Sequence, residues 1–530
     1  MTIDAPLAAT TLTLAVEKTG VIVLALLAGA ILALPEGRIA PRTRATLVAG
    51  VLVLTPLLLA LALWNNTKVA PLHHDPIRGV VVVLVVLVAV AILAHLIDRH
   101  GQLLPLLAIL ALPFRIPLGS VSSGLLLPLY AVIAAGGLVF IVRNWNRAPE
   151  ARNEDPRFAR ALRPEGRAGS RRSRLPSLLA AVLVVYALQA LYAPAAGVLK
   201  AVENVGFFYV PFALLFYLLR RLTWSGALLR RCLFVLLALA GVFVLVGVGE
   251  LVDGSHLLLN RSLDQDANFV RINSLFYDPN IYGRFLALTM ILLGAVMLFE
   301  RRPRRVLAAA GALALMWLGL LLSLSQSSMV ALLAGLAVAT LGVWGRRAAV
   351  AAAALALVAV AVVVGLALGS GNSANFLTSG RASLVTGGVD LFKDRPVLGY
   401  GSGSFSTEYR AHTHEQPNPF EKTQRLPPAA PTTTDSHATP VTIGAEQGVV
   451  GLGFYVILLL ACFWELFGSD LLTRTDGQAW AARLAIAAAF TGLVVHTLFY
   501  ADFLEDPATW VLLAVGGALA SAAIARPEPG

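Results

Sequence analysis

Charge is what this sequence most lacks. Of 530 residues only 13% are Asp, Glu, Lys or Arg, about half the roughly 25% of an ordinary soluble domain. A surface so poor in charge cannot keep a chain of this length wetted, which excludes a soluble protein of one domain or several. Cysteine is almost missing as well. Cys232 and Cys462 are the only two, both sit inside apolar runs, and they offer neither a disulfide framework nor a zinc site. Acids are outnumbered, 30 Asp+Glu against 41 Lys+Arg, leaving a net charge of +11. In a chain with many spans that excess marks cytoplasmic loops and not nucleic-acid binding. Residues 1–18 have no basic n-region and no convincing cleavage site follows the first apolar run, so no cleavable signal peptide is expected.

What the sequence has in abundance is apolar runs. Hydrophobic residues make up 58% and the mean hydropathy is +0.77. A bilayer core needs roughly 20 apolar residues per helix. Spans are expected near 19–35, 44–64, 79–97, 102–118, 122–142, 176–193, 205–219, 230–250, 281–299, 306–322, 328–344, 348–368, 447–467, 481–499 and 509–524. The run 102–118 is short and carries Pro105, Pro113, Arg115 and Pro117, as a broken or re-entrant segment would. The expected fold is therefore an all-α polytopic bundle of about 13 to 15 transmembrane helices in the inner membrane.

Lys/Arg bias orients the bundle. The stretch 143–175 holds ten arginines against four acids. Further clusters are Arg220-Arg221, Arg230-Arg231, Arg301 to Arg305 and Arg346-Arg347. One threading puts all of them in the cytoplasm. The expected organisation is then N-terminal helices over 1–142 and an arginine-rich cytoplasmic linker, 143–175, touching anionic lipid. Core helices over 176–368 follow, with an outer loop near 251–280. A large extracytoplasmic loop, 369–446, forms a small helical cap, and C-terminal helices fill 447–530.

Three polar constellations fall on the outer side. The first runs from Arg271 to Arg284 through Asp278-Pro279-Asn280, a turn-then-helix signal in which Asp278 and Asn280 shape the helix start. Arg271 and Arg284 stand apart, since arginine at the edge of an apolar helix is costly without phosphate, carboxylate or water. The second opens the long loop. Residues 381–393 fit an amphipathic helix begun by Arg381, followed by Arg395 and a run of glycines, Gly399, Gly401 and Gly403. With no lysine after it, that run reads as a flexible turn and not a nucleotide loop. Arg284 and Arg395 are second-tier phosphate candidates, with Asp278 and Asp394 as possible ion partners. The third is Asp435-Ser436-His437, with Glu446 nine residues on. A histidine at a membrane boundary can take a proton from a hydroxyl, and arginine forks suit a diphosphate.

Together these pieces resemble the O-antigen ligase and O-antigen polymerase (Wzy-type) superfamily. The matching residues are Arg271-x-x-Ser-x-Phe-x-Asp-Pro-Asn-x-x-Gly283, then Ser323-Leu-Ser325 and Arg381. Asp394-Arg395-Pro396-x-Leu-Gly399-x-Gly401-x-Gly403-x-Phe405 follows, and then His437 with Glu446-x-Gly448-x-x-Gly451. The resemblance implies transfer of a glycan from an undecaprenyl-diphosphate carrier to an acceptor hydroxyl at the outer face of the membrane, inverting and without a metal or other cofactor. It implies Arg271 and Arg381 on the diphosphate and His437 as base. Glu446, read from its place in the chain, orients the ring, assists as an acid, or simply begins a helix. The partners implied are the carrier-linked donor, a glycan or lipid acceptor and membrane lipids. The chain departs from the family's pattern at Ser325-Gln326-Ser327, where members often have Ser-Arg-Gly, and at Ala438, where Asn is usual. Pro440 is expected to interrupt the helix that follows the histidine.

Two other classes compete. A metal-dependent polyprenyl-phosphate glycosyltransferase would place acids in an early outer loop, where this chain has His73-His74-Asp75; insensitivity to EDTA separates the two. A lipid-linked oligosaccharide flippase would carry ionisable groups at mid-membrane and repeated halves, and no clear repeat is present.

Overall fold

Proline opens most of the long helices. Its missing N–H is one of those a helix start leaves unpaired in any case, and its φ is already helical. The computed structural model describes residues 5–35, 38–64, 75–115, 125–146, 173–253, 271–345, 381–413, 435–468, 471 and 478–524. Its elements are α1 (Ala5–Ala33), α2 (Pro41–Ala62), α3 (Pro76–Arg99), α4 (Leu103–Ala111), α5 (Leu127–Trp145), α6 (Leu175–Gln189), α7 (Ala195–Arg220) and α8 (Gly226–Asp253). They continue with α9 (Pro279–Met297), α10 (Pro303–Ser323), α11 (Gln326–Gly345), α12 (Arg381–Asp394), α13 (Phe405–Thr413), α14 (Thr439–Phe467), α15 (Gln478–Thr497) and α16 (Pro507–Ile524).

Twelve described helices are long and apolar enough to cross a membrane, and a shorter apolar helix follows at Pro507–Ser521. No β-strand occurs among the described residues. The protein is thus an all-α, multi-pass membrane protein. Of the expected spans, 348–368 lies outside the described residues. The run 102–118 is not a full spanning helix: α4 has only nine residues, and the chain leaves it through Pro113 toward Arg115.

The core is built around α7 and α9, the two most deeply buried spans. In α7 the rings of Phe208, Phe212 and Phe216 are fully buried, Phe208 lying 6.0 Å from Phe212 and Phe216 meeting Trp510 of α16 edge-on at 6.3 Å. A π turn at Asn204–Tyr209 interrupts α7, the kind of defect often found at functional sites. Helix α9 packs between α10 and α15, α14 lies on α6, and α12 lies on α14. By contrast α3 exposes nearly all of its valine run, Val80 to Val88, as a helix facing lipid would.

Helix ends sort the polar residues. At one face Arg220 binds Glu465 at 2.7 Å, Arg143 binds Asp98 at 2.7 Å, and Arg231 donates to Gln102 at 2.5 Å. Residues Arg301 to Arg305, between α9 and α10, belong to that face. At the other face the ends of α8, α10 and α15 meet the starts of α9, α11, α14 and α16 with helices α12 and α13. Ties across this second face include Tyr500 to Asp278, Ser327 to His496 and Arg284 to Asp506.

Candidate active site

The second face holds an unusual share of backbone strain. Among the described residues four non-glycines have left-handed φ, Ser274 (52°), Leu324 (51°), His437 (56°) and Asp502 (77°), and all four lie here. Such conformations cost on the order of 1–3 kcal/mol each and persist where the surroundings impose them, often at functional sites.

Arg271 precedes α9. Its Nε donates to the Ser323 carbonyl at 3.2 Å and its Nη2 to Asn280 Oδ1 at 3.3 Å. Asp278 caps α9 through the Asn280 amide at 2.6 Å, as the turn signal predicted, and also accepts from the Tyr500 hydroxyl at 2.7 Å. Asn280 does more than shape the turn. Its Oδ1 also accepts from Ser325 Oγ at 3.1 Å, and Ser325 pairs with Ser328 at 2.7 Å. A left-handed Leu324 ends α10 and turns these serines inward. Ser327 then reaches Nε2 of the buried His496 at 3.3 Å.

Arg284 lies one turn into α9 and is 2% exposed. It does not pair with Asp278. Its Nε meets Asp506 at 2.8 Å, Nη2 stands 4.0 Å from Asp502, and the guanidinium lies 5.9 Å from the Tyr500 ring. The reason is direction: a side chain of an α-helix leans along its own face, and here that face meets the loop between α15 and α16. Arg395 does not pair with Asp394 either. Its guanidinium stacks 4.4 Å over the Tyr400 ring, while Asp394 binds His412. Arg381 begins α12, which packs on α14 at the same face as Arg271.

The glycine run is not a flexible turn. Its amides are taken up by α14: Tyr400 N donates to the Ala445 carbonyl at 3.1 Å and Gly401 N to the Glu446 carbonyl at 2.7 Å. Gly403 N and Phe405 N donate to the two carboxylate oxygens of Glu446 at 2.9 and 3.1 Å. Gly401 has φ +102°, and a Cβ there would lie 2.6 Å from Ala193 Cα. The run is therefore a rigid wedge. Where it enters, α14 opens: Gly448 has φ 62° and ψ −161°, and Val449 N donates to the Pro396 carbonyl at 2.7 Å. Irregular backbone at membrane depth is tolerated when another part of the protein satisfies it. Pro440 does not interrupt the helix; it sits in the first turn of α14, and the break falls eight residues later at Gly448.

His437 stands just ahead of α14. Its amide donates to Asp435 Oδ1 at 2.7 Å, its Nδ1 lies 3.6 Å from the same oxygen, and its ring centroid is 5.7 Å from that of Tyr500. The side chain is 32% exposed, enough for a substrate to reach. Glu446 is held by the wedge, with both oxygens engaged there.

Sequence reasoning missed the loop 498–506. Asp502, Glu505 and Asp506 gather three acids between two apolar spans, a density rare in this chain, and that signal went unread. Burial, with Asp502 nearby, pushes the Glu505 carboxyl up to about 7 although Tyr209 donates to it at 2.5 Å. Burial also raises Asp502, against the pull of Arg284 and Arg115. Arg115, past the end of α4, is buried beside this loop. Of the early outer motif, His73 and His74 lie outside the described residues, and Asp75 caps α3 through the Arg78 amide.

Below the cluster runs a cavity of about 890 Å³ between α4, α8, α9, α15 and α16. Arg115, Arg284 and Asp506 line one end and Arg230, Arg301 and Arg305 the other, with leucines, phenylalanines and isoleucines between.

A many-helix membrane protein with one polar, strained face above an apolar cavity is the class that fold and geometry define. Residues 311–456 match the family model described as O-antigen ligase (Wzy_C), and the resemblance to the O-antigen ligase and polymerase superfamily is thereby borne out. The matched stretch holds Ser323 to Ser328, Arg381, Arg395, the glycine wedge, His437 and Glu446; Arg271 and Arg284 lie upstream. It supports an O-antigen ligase-type, glycosyl-transferring function with lipid-linked glycans as substrates. No curated protein matches the chain.

Proposed function

We propose that the protein transfers a glycan from an undecaprenyl-diphosphate carrier to an acceptor hydroxyl at the outer face of the cytoplasmic membrane. The observation that carries this reading is a partly exposed histidine and an arginine held on the same polar face, above an apolar cavity suited to a polyprenyl tail. His437 accepts the proton of the acceptor hydroxyl as its oxygen bonds the anomeric carbon. The bond from that carbon to the phosphate oxygen breaks, with inversion, and the carrier diphosphate leaves. Arg271 and Arg381 meet the charge that grows on the leaving group, where fixed cations help most. The base needs no metal ion in this scheme. Arg284, matched by two acids, serves as a strut more than a phosphate ligand, and Glu446 as the anchor of the wedge.

The test uses the protein in proteoliposomes with a carrier-linked glycan. His437→Asn is the informative variant, because Asn tolerates left-handed φ and lacks the base. Transfer should fall by about 10² or more while donor still binds. A variant retaining more than a tenth of normal transfer would remove His437 from the mechanism. Mass spectrometry of a strain lacking the protein identifies the acceptor. Single repeat units left on the carrier mean a polymerase, and full-length carrier-linked polymer means a ligase.

A further inference from the structure

Tyr500 touches both halves of the proposed site. Its ring lies against His437, with centroids 5.7 Å apart and planes inclined by 37°. It also lies 5.5 Å from the His496 ring and 5.9 Å from the Arg284 guanidinium. Its hydroxyl donates to Asp278 at 2.7 Å. Asp278 fixes the Asn280 amide, and Asn280 in turn accepts from Arg271. A short run of contacts therefore leads from the imidazole through Tyr500, Asp278 and Asn280 to the guanidinium. Each link joins a different element: the start of α14, the loop after α15, the cap of α9 and the segment before it.

We propose that Tyr500 is a positioning residue that sets the distance between the proton acceptor His437 and the phosphate-binding Arg271. The inference rests on the proposed function, since it assumes those two roles. Two features of the site support it. Among the described residues of its own loop, His437 is hydrogen-bonded through its backbone, the amide to Asp435, while Nδ1 stands 3.6 Å from that carboxylate, long for a hydrogen bond. The ring's place thus depends on what it leans against, and Tyr500 is an aromatic face in contact with it. Tyr500 is itself fixed, being 8% exposed with its amide donating to the His496 carbonyl at 2.9 Å. The proton must leave the acceptor oxygen as the carrier phosphate departs from the other side of the anomeric carbon. Misplacing either group by about 1 Å can cost on the order of 10²-fold. On this reading Asp278-Pro279-Asn280, which as a turn signal only begins a helix, also joins the two catalytic groups.

The experiment compares Tyr500→Phe and Tyr500→Leu with the unaltered protein in proteoliposomes containing the carrier-linked glycan, measuring kcat, KM for the donor and the thermal midpoint. Phe keeps the ring and loses the bond to Asp278; Leu loses both. The expected result is a kcat lowered about tenfold or more in the Leu variant and less in the Phe variant, with donor KM within about threefold of normal in both. Equal kcat in all three proteins, or a loss that appears only in KM, overturns the proposal. Should the Leu variant not fold, the Phe variant decides: unchanged kcat overturns the proposal and a lowered kcat at normal KM supports it. The His437→Asn variant separates this inference from the reading beneath it. If that variant is active, His437 leaves the mechanism and the positioning role falls with it, while glycan transfer itself stands. If it is inactive while both Tyr500 variants are normal, only the positioning role falls.

Discussion

A guanidinium buried in an apolar bundle persists only when its charge is met, and Arg284 illustrates the cost. It is 2% exposed and bound to Asp506 at 2.8 Å. Breaking such a pair from one side leaves an uncompensated buried charge, typically worth about 3–5 kcal/mol, whereas replacing both partners with apolar residues is often neutral. Arg284→Met alone should sharply lower the thermal midpoint in detergent, and Arg284→Met with Asp506→Leu should recover most of it. A double variant as unstable as the single one would contradict the pairing. Arg271 behaves otherwise. Its fork spans the Ser323 carbonyl and Asn280 from two different nitrogens, whereas lysine gathers its donors on one ammonium and cannot hold both contacts while presenting a planar fork to phosphate. Arg271→Lys should therefore cut glycan transfer by about tenfold or more, and near-normal transfer would count against a bidentate clamp. Glu505 gives a pH signature. Burial holds its carboxyl near 7 in the folded protein, above the 4.5 of a free glutamate, so the folded state binds the extra proton. Stability is then highest at acid pH, falls as pH rises from about 4.5 to about 7, and levels off above. The full change is on the order of 3 kcal/mol. Thermal midpoints between pH 5 and 8 should flatten in Glu505→Gln, and an unchanged slope would remove Glu505 as its source. At this scale residue type and threading were enough to expect Arg271 and His437 on one face, where the structure has them. The sequence was silent on pairs such as Asp506 with Arg284 and Tyr500 with Asp278, each separated by more than two hundred residues in the chain and brought together through helix packing.

Among elements, α14 is the most informative. Apolar content alone marks its membrane half, 447–467. The eight residues before it are equally helical, because proline in a first turn starts a helix as readily as an interior proline breaks one. What the sequence could not convey is that Gly448 opens the helix and that the cap's backbone fills the gap. Hydrogen bonds between main chains carry no residue-type signature. The consequence is testable. A Cβ at Gly448 would lie 2.3 Å from the Val397 carbonyl oxygen, at φ +62°. Gly448→Ala should cost at least about 2 kcal/mol and loosen the cap, read as faster amide exchange over 396–405. Exchange there that matches the unaltered protein would mean the wedge is not held by this break. The fate of α4 follows the same logic in reverse, since the prolines that made 102–118 look broken did end the helix after nine residues.

For the whole molecule, hydropathy and arginine spacing were enough to read an all-α bundle, because lipid imposes helices and the loops carry the charge. The described arginine clusters lie together on one face and the strained polar cluster on the other. Cysteines placed at 231 and 437 should therefore react with impermeant thiol reagents from opposite sides of intact inverted and right-side-out vesicles; labelling from the same side would overturn the threading. The opened helix also bears on how the chain is made. Synthesis runs from the N-terminus, so α6, α7 and the wedge emerge before Gly448 does. The receiving surface for the break, Gln189 and Tyr186 included, can be assembled before α14 enters the bilayer. A translocon would then release α14 not as an independent apolar cylinder but as a piece locked into a slot already waiting, with α15 and α16 still to follow. The order in which the segments leave the ribosome, and not apolar content alone, would decide whether this opened helix reaches its place.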